Sequence, residues 1–589
     1  MQQLEYKGTV IKECFFERKN INKFEAIFTQ GNGYLGIRNA LEEHYVGEIR
    51  DTFITGTFNK ASDEEVTELP NIADVSAVKI VVDGEEFSLT EGKISSYERS
   101  LDLTTGESTR IIEWESPKGI KLNLVFRRFV SLDNEHIFVQ KVELLCDQDA
   151  NIIIESGIDG SVTNSGAMHF EDIQRRVFEG KYMEYIAKTT QSHVKVIQGA
   201  VCCLNKEAAV IPVMGRRTLA NRYSLKVNAN EKLEFEKKSI FFSERDKEFT
   251  YLEEENRLEE IKKESAKLIR ELEELSYDEL FKRSESKWKE YFDKSKIDIG
   301  TDDNYIKTSI NFALYHLRIM VKADDNRVGI GTKALSGEGY KGHSFWDTEL
   351  FILPYFTYTH SEIARTLLEY RYHNLYGARI KAKENGYEGA MYPWECAWVD
   401  DGEVTPLYMG ADIVTGEITK VWTGLIEHHI TADIVYAIDN YYRVTNDDDY
   451  IEAMDNHFKY FNITPQMGNM VLGASLAMEE QDGLKAKDAI QNLKISLMGP
   501  LSGVGDSLFW VLWPTIIGGI SGYMALQGNP IGAIIWILVS VALYFVKMAL
   551  SNLGYTSGTK LVTTFGDKIN ILTDAASVMG LMVVGTLIA

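Results

Sequence analysis

Apolar and polar positions alternate along the first 245 residues. The alternation is clearest in Ala77-Val-Lys-Ile-Val-Val82, Arg110-Ile-Ile-Glu-Trp114 and Lys121-Leu-Asn-Leu-Val-Phe126, the period-two pattern of strands with one buried face. Asp83-Gly84 sets a tight hairpin turn after Val82. So many strands without intervening helices predict a large antiparallel sandwich over 1–245. From about Glu244 to Lys294 the pattern turns helical. Tyr251–Leu275 is rich in Glu, Lys, Arg and Leu, with opposite charges often four apart, as in a solvated helical linker, assigned to 246–304. From Tyr305 amphipathic helices alternate with long aromatic loops. Ile310, Ala313, Leu314, Leu317 and Met320 form one stripe, Ile363, Leu367, Leu368, Tyr370 and Leu375 a second, and Ile430 to Tyr442 a third. Paired helices with loops at one end suit a barrel over 305–454, although periodicity alone does not separate it from another helical array.

Past this point the texture changes. Between Ser507 and Val546 there is no Asp, Glu, Lys or Arg. Two apolar segments, Leu508–Leu526 and Ile531–Val546, are joined by Gln527-Gly-Asn-Pro530, and a third run, Ala575–Ala589, follows. Such stretches are hard to solvate, and 455–589 reads as membrane-embedded, with Lys547 placed to snorkel. The net charge of −24 excludes a phosphate-backbone partner. From Asp455 onward there are eight acidic and seven basic residues, so the acidity belongs to the earlier region. Cys14, Cys146, Cys202, Cys203 and Cys396 show no CxxC spacing, which favours reduced thiols and no metal site. The N-terminus has no apolar run of signal type. A cytoplasmic front and a membrane-associated rear follow.

Four loops are dense in aromatics and carboxylates: Tyr340-Lys-Gly-His-Ser-Phe-Trp-Asp-Thr-Glu349, Met391-Tyr-Pro-Trp-Glu395, Gly402-Glu-Val-Thr-Pro406 and Val421-Trp-Thr-Gly-Leu-Ile-Glu-His-His429. Aromatic faces cover the C–H side of a sugar while carboxylates take its hydroxyls. A single Trp would read as core; four such loops read as a carbohydrate site.

Gly31-Asn-Gly-Tyr-Leu-Gly-Ile-Arg38, Phe345-Trp-Asp347, Tyr392-Pro-Trp-Glu395 and the His429–Asp433 helix start resemble glycoside hydrolase family 65, which holds maltose, kojibiose, nigerose and trehalose phosphorylases. The resemblance covers about residues 5–453. It implies a β-sandwich, a helical linker and an (α/α)6 barrel, here truncated. It implies that Trp346 and Asp347 hold the transferred glucosyl unit of an α-linked glucose disaccharide. Glu395, Glu403 and Glu427 would lie in the barrel-mouth loops near the acceptor sugar, and Trp394 and His428 complete the candidate substrate-binding residues. The chemistry implied is inverting phosphorolysis, with one carboxylic acid, inorganic phosphate as co-substrate, no other cofactor, and glucose 1-phosphate as product. The family's acid lies in a Gly-Pro-Asp-Glu-Tyr motif, and no such string occurs in the chain. No catalytic residue is therefore assigned, and inactivity as encoded is expected. Asn39 replaces a glycine usual in the family, a change expected to touch only a turn.

A second resemblance begins near Asp455. His457-Phe-Lys-Tyr-Phe-Asn-Ile-Thr-Pro465, Ala477-Met-Glu-Glu480, Leu497-Met-Gly-Pro-Leu-Ser-Gly-Val-Gly-Asp-Ser-Leu-Phe-Trp510 and Leu572-Thr-Asp-Ala-Ala-Ser577 resemble the IID component of mannose/fructose/sorbose-type phosphotransferase permeases. That resemblance implies a IIC partner, sugar transport and a bacterial inner membrane. Glu479, Glu480 and Asp506 are the candidates beside a glycine-broken segment, although the Glu pair reads equally as a solvated helix end. The join falls within Asp449–Asn456 without a flexible linker, which favours a hybrid reading frame. The alternative is a membrane transport component carrying a sugar-binding appendage.

Overall fold

The computed structural model describes residues 3–452, other than 64, 388, 412 and 413. Strands dominate to Ser243. A ten-stranded antiparallel sheet runs, edge to edge, Leu4–Tyr6, Val10–Glu13, Lys93–Asp102, Ser108–Glu115, Lys121–Val130, Ile137–Cys146, Lys232–Ser243, Lys195–Leu204, Tyr182–Thr189, Phe170–Phe178. A five-stranded sheet, ordered Ala209–Met214, Thr218–Val227, Ala150–Asp159, Val78–Val82, Glu85–Glu86, faces it. Between them, Ile112, Trp114, Leu122, Leu124 and Phe126 of the large sheet meet Ile80, Val82, Ile152, Ile154 and Tyr223 of the small one. The expected sandwich is present. The turn after Val82 has both central residues left-handed, Asp83 at φ 43° and Gly84 at φ 83°, the twist that suits a two-residue hairpin.

The large sheet is buried on both faces at its centre. Strand Ile137–Cys146 is buried at eight of its ten positions, which one-sided alternation does not anticipate. Helices α2 (Glu254–Glu273) and α3 (Tyr277–Ser295) supply the second cover; a short α1 (Ile21–Ile27) precedes them in the chain. Ile261, Ile269, Leu272, Tyr277 and Leu280 pack on Phe129, Ile137, Val139, Ile186 and Ile240. The segment expected to be a solvated linker is therefore a layer of the sandwich. Its charges occupy only the outer face, and Ile261, Ser265, Ile269 and Leu272 make an inner stripe. A capping box at Ser276 and Glu279 starts α3.

Helix α4 (Asn304–Ile319) begins at Asp303, whose side chain accepts from the Tyr305 backbone N–H. Its buried residues are Thr308, Leu314, Tyr315 and Ile319, while Ala313 of the expected stripe is exposed. The helix is gripped on two sides: Tyr315 and Ile319 join Trp288 and Phe24, and Leu317 and Met320 lie against the helices that follow. Those are α5 (Leu353–Thr359), α6 (Ser361–His373), α7 (Leu375–Glu384), a short α8 (Thr423–Ile426) and α9 (Ile430–Thr445). The second stripe divides at Asn374 between α6 and α7. Helices α5, α6 and α9 share a core of Leu353, Phe356, Ile363, Leu367, Leu368, Ala437 and Tyr441. Among the described residues no helix is long and apolar enough to cross a membrane. The segment 455–589, with Glu479, Glu480 and Asp506, lies outside them.

The Gly31–Arg38 motif joins the two regions. It forms two strands of a small sheet, Gln30–Gly31 and Leu35–Ile37, paired with Thr52–Ile54. A Cβ on Gly33 (φ 92°) would lie 1.9 Å from the Val321 carbonyl oxygen, and one on Gly36 would lie 2.1 Å from Leu335 Cβ. Backbone meets backbone there, so any side chain would hold the helices off. Asn39 does more than touch a turn. It is buried, and its Oδ1 accepts from both Arg99 and Arg128, a shared acceptor between two guanidinium groups that a glycine would not supply.

Candidate functional site

Two of the aromatic loops lie back to back. Ser344 and Cys396 exchange backbone hydrogen bonds, Ser344 N–H to Cys396 O at 2.8 Å and Cys396 N–H to Ser344 O at 3.0 Å. This fixes Phe345-Trp-Asp347 beside Tyr392-Pro-Trp-Glu395. Beneath them Arg371 of α6, fully buried, donates to Glu349 at 2.7 and 2.8 Å, to the Phe345 carbonyl at 2.8 Å and to Cys396 Sγ at 3.0 Å. A planar guanidinium can satisfy these divergent acceptors at once. Burial pushes the Cys396 thiol up to about 11, against the pull of Arg371, so this sulfur is an acceptor and not a nucleophile.

Trp346 and Trp394 stand on this base, partly buried against Leu375, Ala378, Ile430 and Ile434. Both meet the His429 ring nearly edge-on, with centroids at 4.8 and 6.0 Å and interplanar angles of 88° and 81°. His429 Nδ1 lies 2.5 Å from Asp433 Oδ2, one turn along α9. Burial raises the Asp433 carboxyl, and His429 opposes the rise. His429, the last residue of the fourth aromatic loop, and Asp433, read in the sequence only within a helix start, thus belong to the aromatic corner; the signal was a histidine four residues before an aspartate at a helix N-terminus. Asp347 is exposed and leads directly into a π-helical turn, Thr348–Ile352, an element frequent at functional sites.

The carboxylates divide by role. Glu403 accepts from Lys381 Nζ, from the backbone N–H groups of Trp394, Glu395 and Thr405 at 2.9, 3.2 and 3.1 Å, and from Thr405 Oγ1 at 2.7 Å. It braces the Trp394–Glu395 loop from inside. Glu395 points one oxygen at His343 Nδ1, 2.7 Å away. Glu427 is partly exposed, 3.6 Å from His429 Nε2, and the exposed His428 meets Tyr387 with ring centroids 5.9 Å apart. The structure thus brings Trp346, Trp394 and His429 together, backed by Glu403. It leaves Asp347 and His428 at the surface.

Among the described residues, one group could offer ligand atoms to a cation. Glu135, His136 and Glu248 converge within 4.8 Å. However, Lys322 already places its ammonium 2.6 Å from Glu135, and His136 spends Nδ1 on the Phe241 carbonyl and Nε2 on Glu248, both at 2.7 Å. The cluster is a closed ion network between the sandwich and the start of the helical region.

The model of the glycosyl hydrolase family 65 N-terminal domain matches residues 11–291, which includes α2 and α3, and that of the family 65 central catalytic domain matches 311–458. The model of the mannose/fructose/sorbose family IID component matches 424–589, overlapping the catalytic match across α9. A kojibiose phosphorylase of Halothermothrix orenii is 43% identical over 454 residues, covering 76% of this chain and 57% of its own length. A kojibiose phosphorylase of Escherichia coli is 34% identical over 447 residues, with 76% and 58% covered. The chain therefore spans somewhat over half the length of these curated relatives. A solved structure described as a kojibiose phosphorylase from the human microbiome shares the fold, with a TM-score of 0.68 at 20% identity over 84% of this chain and 66% of that one. The chain belongs to glycoside hydrolase family 65 over residues 11–458, and its later part, 424–589, matches the phosphotransferase IID component.

Proposed function

We propose that residues 311–452 carry the glucosyl-contacting part of an α-glucoside phosphorylase site, which holds an α-linked glucose disaccharide without cleaving it. The observation that carries this reading is the Trp346–Trp394–His429 corner beside the exposed Asp347. Two indole walls suit the C–H face of a pyranose, and an exposed carboxylate suits its hydroxyls. The kojibiose phosphorylases among the relatives support a disaccharide of that class. Phosphorolysis would need one group to protonate the glycosidic oxygen while inorganic phosphate attacks from the other face, giving glucose 1-phosphate. Two carboxylates behind the indoles are committed elsewhere, Glu403 to five donors and the buried Glu349 to Arg371. No Gly-Pro-Asp-Glu-Tyr string occurs in the 589 residues. Binding without turnover follows. Calorimetric titration of the full chain with kojibiose, run beside a glucose 1-phosphate assay in phosphate buffer, tests both parts. Saturable heat with no product is expected. Absence of binding sinks the site, and product formation sinks the inactivity.

The IID match over 424–589 favours a second reading, a membrane-associated transport component with a IIC partner and this sugar-binding region as a cytoplasmic appendage. Retention of a IIC subunit on the full chain in detergent would support it. Sequencing of source DNA across the codons for Asp449 to Phe461 distinguishes one continuous frame from two joined genes.

A further inference from the structure

We propose that His343 is a positioning residue whose Nδ1 sets the direction of the Glu395 carboxylate; this rests on the glucoside reading above. His343 is completely buried. Its Nε2 lies 2.5 Å from the Thr67 carbonyl oxygen. A carbonyl only accepts, so Nε2 carries a proton. Its Nδ1 lies 2.7 Å from Glu395 Oε2, and one proton lies between those two atoms whichever of them holds it. The ring therefore bridges a sandwich loop to the loop of Trp394 and Glu395, with a hydrogen bond at each end.

Both ends are anchored. On the sandwich side, Leu69 N–H donates to the Lys341 carbonyl at 2.9 Å, and Lys341 Nζ reaches Glu68 at 3.1 Å. Tyr340, Lys341 and Gly342 all lie in the left-handed region, at φ 56°, 56° and 76°. A Cβ on Gly342 would come 2.6 Å from Leu69 Cβ. Two consecutive non-glycine residues in this conformation are costly, and they persist only where the surroundings fix them. Here they turn the chain inward immediately before His343. On the other side, Glu395 N–H donates to Glu403 at 3.2 Å, which fixes the backbone from which the carboxylate extends. Glu395 thus has its main chain and one oxygen held, while Oε1 takes no hydrogen bond from another described residue and the side chain keeps 12% of its surface exposed. That oxygen is the one left to accept a sugar hydroxyl.

Two substitutions separate the two ends of the ring. Asn places a donor where Nδ1 stood, and Gln places one where Nε2 stood. Full-length wild type, His343→Asn and His343→Gln are titrated with kojibiose, and their thermal melting is followed in parallel. His343→Asn is expected to bind within about threefold of wild type, and His343→Gln to bind at least about tenfold more weakly, the worth of one buried hydrogen bond. Equal losses in both, tracking equal falls in melting temperature, would mean a structural role alone and overturn the proposal. Wild-type affinity in the Gln variant overturns it too. A wild type that binds no kojibiose removes the glucoside reading and this one with it, whereas a wild type that binds beside an unimpaired Gln variant removes only this one. A readout free of variants is available with selective 15N-histidine labelling of the wild type. A buried, slowly exchanging imidazole resonance is expected to shift when kojibiose is added, and an invariant resonance under saturating sugar overturns the proposal.

Discussion

Two buried arginine clusters, one in the sandwich and one under the aromatic loops, use the same chemistry to different ends. In the sandwich Arg110 donates to Glu43 at 2.6 Å and to Glu42 at 2.7 Å, and Arg128 reaches Glu42 at 3.2 Å. Burial alone would push Glu42 up, but Arg110 and Arg128 hold it below the usual carboxylate range. Arg128 itself falls to about 10, chiefly through burial and then through crowding by Arg99 and Arg110. All these partners belong to the scaffold. Arg371 holds Glu349 just as closely, but its other two acceptors, Phe345 O and Cys396 Sγ, belong to the loops that carry Trp346 and Glu395. A buried ion pair in the first place fixes strands; in the second it fixes the aromatic loops.

The largest effects test that contrast directly. Arg110→Met leaves Glu42 and Glu43 buried without their main partner and is expected to cost about 3–5 kcal/mol in urea unfolding, with sugar affinity unchanged in the molecules that stay folded. Arg371→Met is expected to cost a comparable amount and also to abolish kojibiose binding. Matching behaviour of the two variants in both assays would erase the distinction. Next, Gly33→Ala or Gly36→Ala should destabilise by about 2–4 kcal/mol, from overpacking against Val321 or Leu335, with added strain at the left-handed Gly33. If scaffold and loops are one cooperative body, a single transition shifts; two separated transitions would show that they are not. Trp346→Ala, at a partly buried position, should weaken kojibiose binding by about 2 kcal/mol, roughly 30-fold, while the melting temperature stays close to wild type.

The smallest effect is on pH dependence. Asp51, buried at the boundary of the two regions, is raised to about 7 by burial and then by Glu338. A carboxyl raised in the folded state adds stability that is fully present below about 4 and is lost as pH rises through about 7. Asp51→Asn should therefore remove more than about 1.4 kcal/mol of the stability difference between pH 4 and pH 7, measured by urea unfolding at each pH.

Much of the scaffold was legible because alternation reports one-sided burial. Val78–Val82 and Ser108–Glu115 have one face in the core and one outside, and both were readable. Ile137–Cys146 lies under two layers, and the sparse inner stripe of α2, Ile261, Ile269 and Leu272, is outnumbered by charges, so its sequence reads as a solvated linker. The aromatic loops were legible by composition. What composition could not give was which carboxylates face inward. Glu403 and Glu395 look alike in sequence, yet one is consumed by five donors and the other is held by a single histidine. Asn39 looked incidental because its partners, Arg99 and Arg128, lie 60 and 89 residues away.

The backbone contact at Gly33 and Gly36 also sets an order of events during synthesis. The hairpin that carries these glycines leaves the ribosome early, yet it closes against Val321 and Leu335, roughly 300 residues later. At about 5–20 residues per second that is a delay of about 15–60 s. Leu35 and Ile37 can enter the sandwich core as soon as it forms, but the glycine edge stays open until the start of the helical region arrives. A nascent chain stopped before Val321 should be cut by protease within 31–36, and one extended past Leu335 should be protected there.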